Sequence, residues 1–303
     1  MSNRTVYSPV SEWLNMNKGA RLEEIRLRSG KTLTAEFDPD APQYFETLCN
    51  GEILSAAGAD MIFLRGFNVP DPAIAGITVK EEKDTIRALK HLTGRPVGIF
   101  LEPVPSKESR KASTGVSRFI AATPGNALKA AAYGVDMIVL IVNPETGGDT
   151  SSINDTLKEF KKIIGDKVIL GTGKIYPDGN ADEDPILSID EINGFVNNGA
   201  DVIVLPSPGT IPGINQEWEA SRIRQIHYRK RIAMSISGPV LNSQSQKLVM
   251  EAAVRSYQAG ADIHHIMGDG FFCMTSYDTV MNYSLALKGK EETLFRIAAS
   301  INR

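Results

Sequence analysis

The sequence predicts an α/β protein: one closed (β/α)8 barrel preceded by a helical extension. Three observations carry this reading. First, a Gly-x-Asp unit followed by an apolar run occurs four times, as Gly58-Ala59-Asp60-Met61-Ile62, Gly134-Val135-Asp136-Met137-Ile138, Gly199-Ala200-Asp201-Val202-Ile203 and Gly260-Ala261-Asp262-Ile263. Second, these units stand 76, 65 and 61 residues apart, which is room for two strand–helix units each rather than one. Third, apolar runs of strand length lie between them, at Thr32–Phe37, Pro96–Leu101, Lys167–Gly171 and Ile232–Ser237. Eight alternating units imply a parallel sheet with right-handed crossovers. No GxGxxG follows the first strand, which counts against an open doubly wound sheet.

In chain order, residues 1–30 read as the extension and 31–303 as the barrel. Ser8–Asn17 and Leu22–Leu27 are expected to be short helices that plug the barrel's N-terminal mouth. Helices are expected at Tyr44–Ala57, Ala127–Tyr133, Glu191–Asn198 and Gln246–Ala259, each just before a repeat glycine. That glycine ends its helix by taking the left-handed conformation that a Cβ disfavours. Lys80–Leu92 and Thr156–Ile164 carry apolar residues three and four apart, as an amphipathic helix does. Thr78 with Glu81, Ser188 with Glu191 and Ser243 with Gln246 have capping-box spacing. The segment Glu102–Thr123 is long for a connection and reads as a lid, offering Lys107, Arg110, Lys111 and Arg118 to an anion.

Composition bounds the function. The 303 residues are 42% hydrophobic and 23% charged, enough to bury a large core without disulfides. A net charge of −3 does not fit a nucleic-acid binder. The basic run Arg222, Arg224, Arg229, Lys230 and Arg231 is then a solvated helix face or a subunit contact. Two cysteines, Cys49 and Cys273, point to a reducing compartment. The first residues lack a signal peptide's apolar run, and no stretch has ~18 consecutive apolar residues. A cytoplasmic protein with no membrane and no nucleic-acid partner is expected, with a homo-oligomer as the expected assembly.

Chemistry in such a barrel gathers at the carboxyl ends of the strands. Those ends carry Glu36, Asp38, Arg65, Asn68, Glu102, Asn143, Glu145, Lys174, Ser207, Ser235, Ser237, His264, His265 and Asp269. Strand residues alternate between faces. With the repeats aligned on their aspartates, Arg65 and His265 fall on the interior face and His264 falls under the helices. Thr32, Thr34, Glu36 and Asp38 share one face of the first strand, where buried polar groups are costly unless in use. The catalytic candidates are Asp38, Arg65, Glu102, Lys174 and His265. Lys174 would form a Schiff base if it pointed into an apolar mouth. Glu36, Asp38 and Glu102 offer hard oxygens to a cation such as Mg2+.

Ser235-Ile236-Ser237-Gly238-Pro239 ends the seventh strand and Ile266-Met267-Gly268-Asp269-Gly270-Phe271 the eighth. Here barrels often bind phosphate on glycine amides and a short helix. Ser235, Ser237, Gly238, Gly268, Asp269 and Gly270 are the ligand-binding candidates, and the Gly- and Pro-rich loop from Ser207 to Gly213 lies beside them. The arrangement resembles the phosphate-binding (β/α)8, or TIM, barrels, which include sugar-phosphate isomerases, epimerases and aldolases. Pro239 replaces a second glycine of that pattern, and Asp269 sets a negative charge beside the anion.

As a whole the chain resembles an uncharacterised bacterial family of barrel proteins labelled phosphonomutase-like or haloacid dehalogenase-like hydrolase. The Asp-rich strand end and Lys-Cys-Gly-His loop of phosphoenolpyruvate-mutase relatives are absent. Phe37-Asp38-Pro39-Asp40-Ala41-Pro42 meets the dehalogenase motif only in its two aspartates. These resemblances imply an enzyme acting on a small phosphorylated, carbohydrate-derived metabolite by aldol cleavage, isomerisation or epimerisation. Glu102 or His265 would move protons, Arg65 or Lys174 would bind the anionic or carbonyl group, and Asp38 would act as base or hold a cation. The alternatives are a divalent-metal hydrolase and a non-catalytic sugar-phosphate-binding protein.

Overall fold

A computed structural model describes residues 9–104, 116–143, 146, 148–175, 186–269, 273–299 and 301. Its eight strands are β1 (Thr32–Phe37), β2 (Met61–Leu64), β3 (Val97–Leu101), β4 (Met137–Ile141), β5 (Ile169–Gly173), β6 (Val202–Pro206), β7 (Ile232–Ser237) and β8 (Ile263–Ile266). All neighbours are parallel and in chain order, and β8 pairs with β1 through Thr34↔His265, so the sheet closes into a (β/α)8 barrel. A haloacid dehalogenase-like reading needs an open doubly wound sheet, and this closure corrects it.

Helices α1 (Val10–Asn15) and α2 (Lys18–Leu27) precede the barrel. Around it stand α3 (Asn50–Ala56), α4 (Thr85–Thr93), α5 (Pro124–Tyr133), α6 (Thr150–Ile163), α7 (Ile189–Asn197), α8 (Gln216–Tyr228), α9 (Gln246–Ala259) and α10 (Tyr277–Ala298). Among the described residues no helix is long and apolar enough to cross a membrane.

The alternation of strand side chains builds two cores. Leu33, Ala35, Ile62, Leu64, Ile138, Leu140, Ile203 and Leu205 face outward and pack with the helices. Met61, Phe63, Met137, Val139, Val202, Val204, Met234 and Ile263 fill the interior together with Trp13 and Ile25 of the extension. Trp13 and Ile25 are 2% and 0% exposed, so α1 and α2 do plug the N-terminal mouth.

The repeat has one job at that end. Each Asp carboxylate accepts the backbone N–H of the strand before it: Asp60 from Leu33, Asp136 from Val97, Asp201 from Leu170 and Asp262 from Ala233, at 2.8–2.9 Å. Each Asp N–H donates back to the carbonyl of that same residue, at 2.7–3.0 Å. The extension supplies counter-charges, with Lys18 on Asp201 at 2.5 Å, Arg21 on Asp136 at 2.9 Å and Arg28 on Asp60 at 3.2 Å. His227 meets Asp262 at 2.8 Å, and that hydrogen bond raises its pKa. The four glycines before these aspartates have φ between 94° and 111°, which only glycine adopts without strain.

Some local expectations are corrected. The Ser188–Glu191 capping box forms. Ser243 instead ends a 3-10 turn, Pro239–Ser243, and α9 starts after Ser245. Thr78 caps no helix, because a 3-10 turn beginning at Glu82 leads into α4. Residues 44–49 are loop, so α3 is shorter than expected and is capped through Cys49 and Glu52.

Candidate functional site

The carboxyl ends of the strands enclose a cavity of about 640 Å³. Its polar lining is Glu36, Arg65, Glu102 and Asn143, and its apolar lining includes Phe100, Ile120, Ile141, Ile175, Ile236 and Met267. Glu36, Arg65, Phe100, Glu102, Ile141, Asn143, Ile236 and Met267 all carry the interior parity of their strands. Parity therefore built this wall, as expected for Arg65.

Arg65 is a fixed cation. Its Nε and Nη2 donate to the two oxygens of Asp38 at 2.6 and 2.9 Å, a bidentate fork. Its Nη1 stands 3.9 Å from Glu36 Oε1. The hydrogen bond to Asp38, then the charges of Glu36 and Asp38, raise its pKa against the opposing effect of burial. The guanidinium stays one-third exposed at the cavity.

Glu36 is 1% exposed and tightly held. One oxygen accepts the Gly268 N–H at 2.8 Å and the other lies 2.9 Å from His265 Nε2. His265 Nδ1 lies 2.8 Å from the Thr34 hydroxyl. A carboxylate only accepts, so Nε2 carries the proton toward Glu36, and the Thr34 hydroxyl also donates to the His264 carbonyl at 3.3 Å. His265 is fully buried against the edges of Phe63 and Phe100 and does not line the cavity. It is a positioning residue for Glu36. Thr275 adds a further hold, its hydroxyl accepting from the Glu36 N–H at 3.0 Å.

Across the cavity, one Glu102 oxygen accepts from the Thr146 hydroxyl and from the Asn143 N–H at 3.3 Å. Thr146 escaped the sequence reading, because no periodicity marks a loop residue. Asn143 was legible by parity.

Other candidates lie elsewhere. Lys174 follows the outward parity of Leu170 and Thr172, and its ammonium pairs with Glu191 of α7 at 2.8 Å. A Schiff-base role is corrected accordingly. Ser235 also faces outward, bonding Glu219 of α8 and, at 3.1 Å, Ser256 of α9. Its parity follows Ala233, whereas Ile232, Met234 and Ile236 point inward. His264 is under the helices as expected, 2.9 Å from both Tyr283 Oη and the Gly30 carbonyl. Its burial pushes its pKa down to about 4.

Ser237 and Gly238 line a second cavity of about 570 Å³ with Ser207, Thr210, Leu241, Leu248 and Arg255. Ile175, Ile236 and Met267 form a wall common to both cavities. The amides expected to cradle phosphate are engaged: Gly238 N–H donates to Thr210 at 3.3 Å, Gly268 N–H to Glu36, and Asp269 N–H to the Met274 carbonyl at 3.3 Å. Arg118 rests over the Phe119 ring at 5.0 Å. Lys107, Arg110, Lys111, Glu145 and Gly270 lie outside the described residues.

The expected magnesium ligands do not converge as a set. Glu36 is taken by His265 and Gly268, Asp38 by Arg65, and Glu102 by Thr146 and Asn143. Among the described residues no three His, Cys, Asp or Glu side chains gather closely enough to hold a metal ion.

Fold and cavity thus define a (β/α)8 barrel with a polar site at the carboxyl-terminal mouth. Residues 8–303 match one family model, and the chain belongs to that family, described as a domain of unknown function, DUF7916. No curated protein matches the sequence. Among solved structures, the carboxyl transferase domain of Rhizobium etli pyruvate carboxylase with 3-bromopyruvate is similar at TM-score 0.53 and 10% identity, over 99% of this chain and 53% of that one. This chain therefore spans about half the length of that structure. A 2,3-dimethylmalate lyase, a PEP mutase/isocitrate lyase superfamily member, is similar at 0.50 and 13% identity, over 83% and 80% of the two chains. A Schiff-base-forming fructose-1,6-bisphosphate aldolase is similar at 0.50 and 13% identity, over 92% and 98%. At such identities the likeness is one of fold.

Proposed function

We propose that this barrel is an enzyme of lyase or isomerase type, acting on a small carbohydrate-derived metabolite that bears a carbonyl or carboxylate group. The observation that carries the reading is the placement of Arg65 and Glu102 on the wall of one 640 Å³ cavity at the strand ends. The substrate's carbonyl or carboxylate oxygen would meet the Arg65 guanidinium, whose charge stabilises the enolate formed when a proton leaves the adjacent carbon. Glu102 would take that proton, with Thr146 and the Asn143 amide holding one of its oxygens in place. Asp38 orients Arg65, and His265 orients Glu36, so neither needs to touch the substrate. The apolar wall excludes water and strengthens these interactions. The lyase and the aldolase among the similar structures are compatible with this chemistry.

The phosphorylated substrate implied by the resemblance has less support. The amides of Gly238 and Gly268 are engaged, and Arg255 pairs with Glu251 at 3.1 Å. A hydroxylated, unphosphorylated end fits the second cavity's hydroxyls and aliphatic lining better. The magnesium-dependent hydrolase finds no support in the carboxylates, each of which already serves a donor.

The test is a panel of short oxo acids, hydroxy acids and sugars, each with and without phosphate. Bond cleavage and solvent deuterium uptake beside the carbonyl are followed by NMR. Turnover is expected to fall ~100-fold or more in Glu102→Gln. Binding without exchange or cleavage would make the chain a binding protein and overturn the proposal. So would full activity in the variant.

A further inference from the structure

A charged cluster outside the proposed site sits at the N-terminal end of the barrel, where α10 folds under β2. At Gly289, φ 78° breaks α10 and turns its last part beneath the sheet. Asp60 stands at the centre, 1% exposed. Its Oδ1 faces Arg28 Nη1 and Arg296 Nε, both at 3.2 Å. Its Oδ2 faces Lys288 Nζ at 2.5 Å and the Leu33 N–H at 2.8 Å. Arg95 lies beside them, donating to the carbonyls of Ala59 at 2.6 Å and Arg296 at 2.5 Å.

The charges do not balance. Four cations, Arg28, Arg95, Lys288 and Arg296, are each under a tenth exposed. Among the described residues three equally buried carboxylates face them: Asp60, Glu24 and Glu292. Carbonyls satisfy the hydrogen bonds of Arg95 but neutralise no charge. Burial, then neighbouring cations, push the pKa of Lys288 down to about 8, against the pull of Asp60. Arg95 is pushed down to about 10, again mainly by burial.

Donors are also left over. Arg28 Nη2 and Arg296 Nη2 are buried from solvent and have no hydrogen-bond partner among the described residues. Both belong to guanidinium groups gathered on the same oxygen of Asp60. A buried donor without an acceptor costs roughly 1–3 kcal/mol, and more when charged.

We infer that this cluster is a binding site for one small monovalent anion, of chloride type, held by Arg28 and Arg296. Such an ion accepts from the leftover N–H groups and cancels the excess charge in one step. One negative charge matches the excess of one positive charge, which a multiply charged phosphate would overshoot. The ion would tie the kinked end of α10 to α2, far from the proposed catalytic mouth. Its role is to stabilise the fold.

The test is thermal unfolding of the full chain in chloride, bromide and gluconate at equal ionic strength. Bromide-grown crystals are measured alongside for anomalous scattering. A ligand that binds only the folded state raises the midpoint with its concentration, by about 2–3 °C per tenfold increase above its Kd for a chain of this size. That rise is expected in chloride and bromide but not in gluconate, with one bromide peak between Arg28 and Arg296. In Arg296→Met the rise is expected to vanish. Equal midpoints in all three salts and no bromide peak at this place would mean ordered water there and overturn the inference. A rise that persists in Arg296→Met would do the same, by showing a general salt effect.

Discussion

The two ends of this barrel are built on opposite plans. At the N-terminal end, four aspartates do the same thing four times: each closes a two-way hydrogen-bond pair with the strand before it and meets a cation or histidine. At the carboxyl end no two strands contribute alike. Five residues after each repeat aspartate stand Arg65, Ile141, Pro206 and Met267, and only the first is charged. Repetition here encodes stability, and the departure from repetition marks the site. In barrels generally, one end carries stability and the other chemistry.

Substitutions at the two ends are therefore expected to separate. The largest effect belongs to Asp60→Asn, which strips a buried carboxylate from Arg28, Lys288 and Arg296. Breaking one side of a buried ion pair costs about 3–5 kcal/mol, read by denaturant unfolding, and the turnover of the molecules that remain folded should hold. A variant with near wild-type stability would blur the contrast between the ends. Glu102→Gln is the converse: turnover should drop ~10²–10⁴-fold with the unfolding midpoint nearly unmoved.

The wall between the ends gives a pH signature. Glu219 of α8 is fully buried, and desolvation pushes its pKa up to about 8, with hydrogen bonds from Ser235 and Ser256 opposing. Its folded state keeps a proton that the unfolded chain loses near the ordinary glutamate value of 4.5. The stability this proton contributes is full below about pH 4.5, declines as pH rises and is gone above about 8. Glu219→Gln should flatten that decline and raise the midpoint at pH 8.5 by ~2–4 °C, measured by unfolding at several pH values. Parallel pH curves for the two proteins would refute it. The smallest expected effect is Ser188→Ala, which loses the α7 cap and costs about 1 kcal/mol in the same denaturant assay.

The sequence made the fold legible because its signals are local and repeated: a glycine that must turn left-handed, an aspartate, then an apolar strand. The site was legible only where parity could be applied. Arg65, His265 and Asn143 followed from counting positions past a repeat aspartate. Ser235 and Lys174 were misplaced because the same counting was not carried onto β5 and β7. On β7 the small residues face out, where Ser256 and Ala253 of α9 press close, and the large ones face in. The expected phosphate cradle turns on something that spacing does not carry. Glycine spacing shows where an amide is accessible, but not that a neighbour such as Glu36 or Thr210 already holds it. Thr146 had no signal, since its value lies in a tertiary contact with Glu102.

The seal made by Trp13 and Ile25 has a kinetic consequence. With its floor shut by these two side chains, the cavity is reached from the rim rather than through the barrel. On the proposed function, a molecule that has reacted must back out before the next can come in, so product and substrate would compete directly for one entrance.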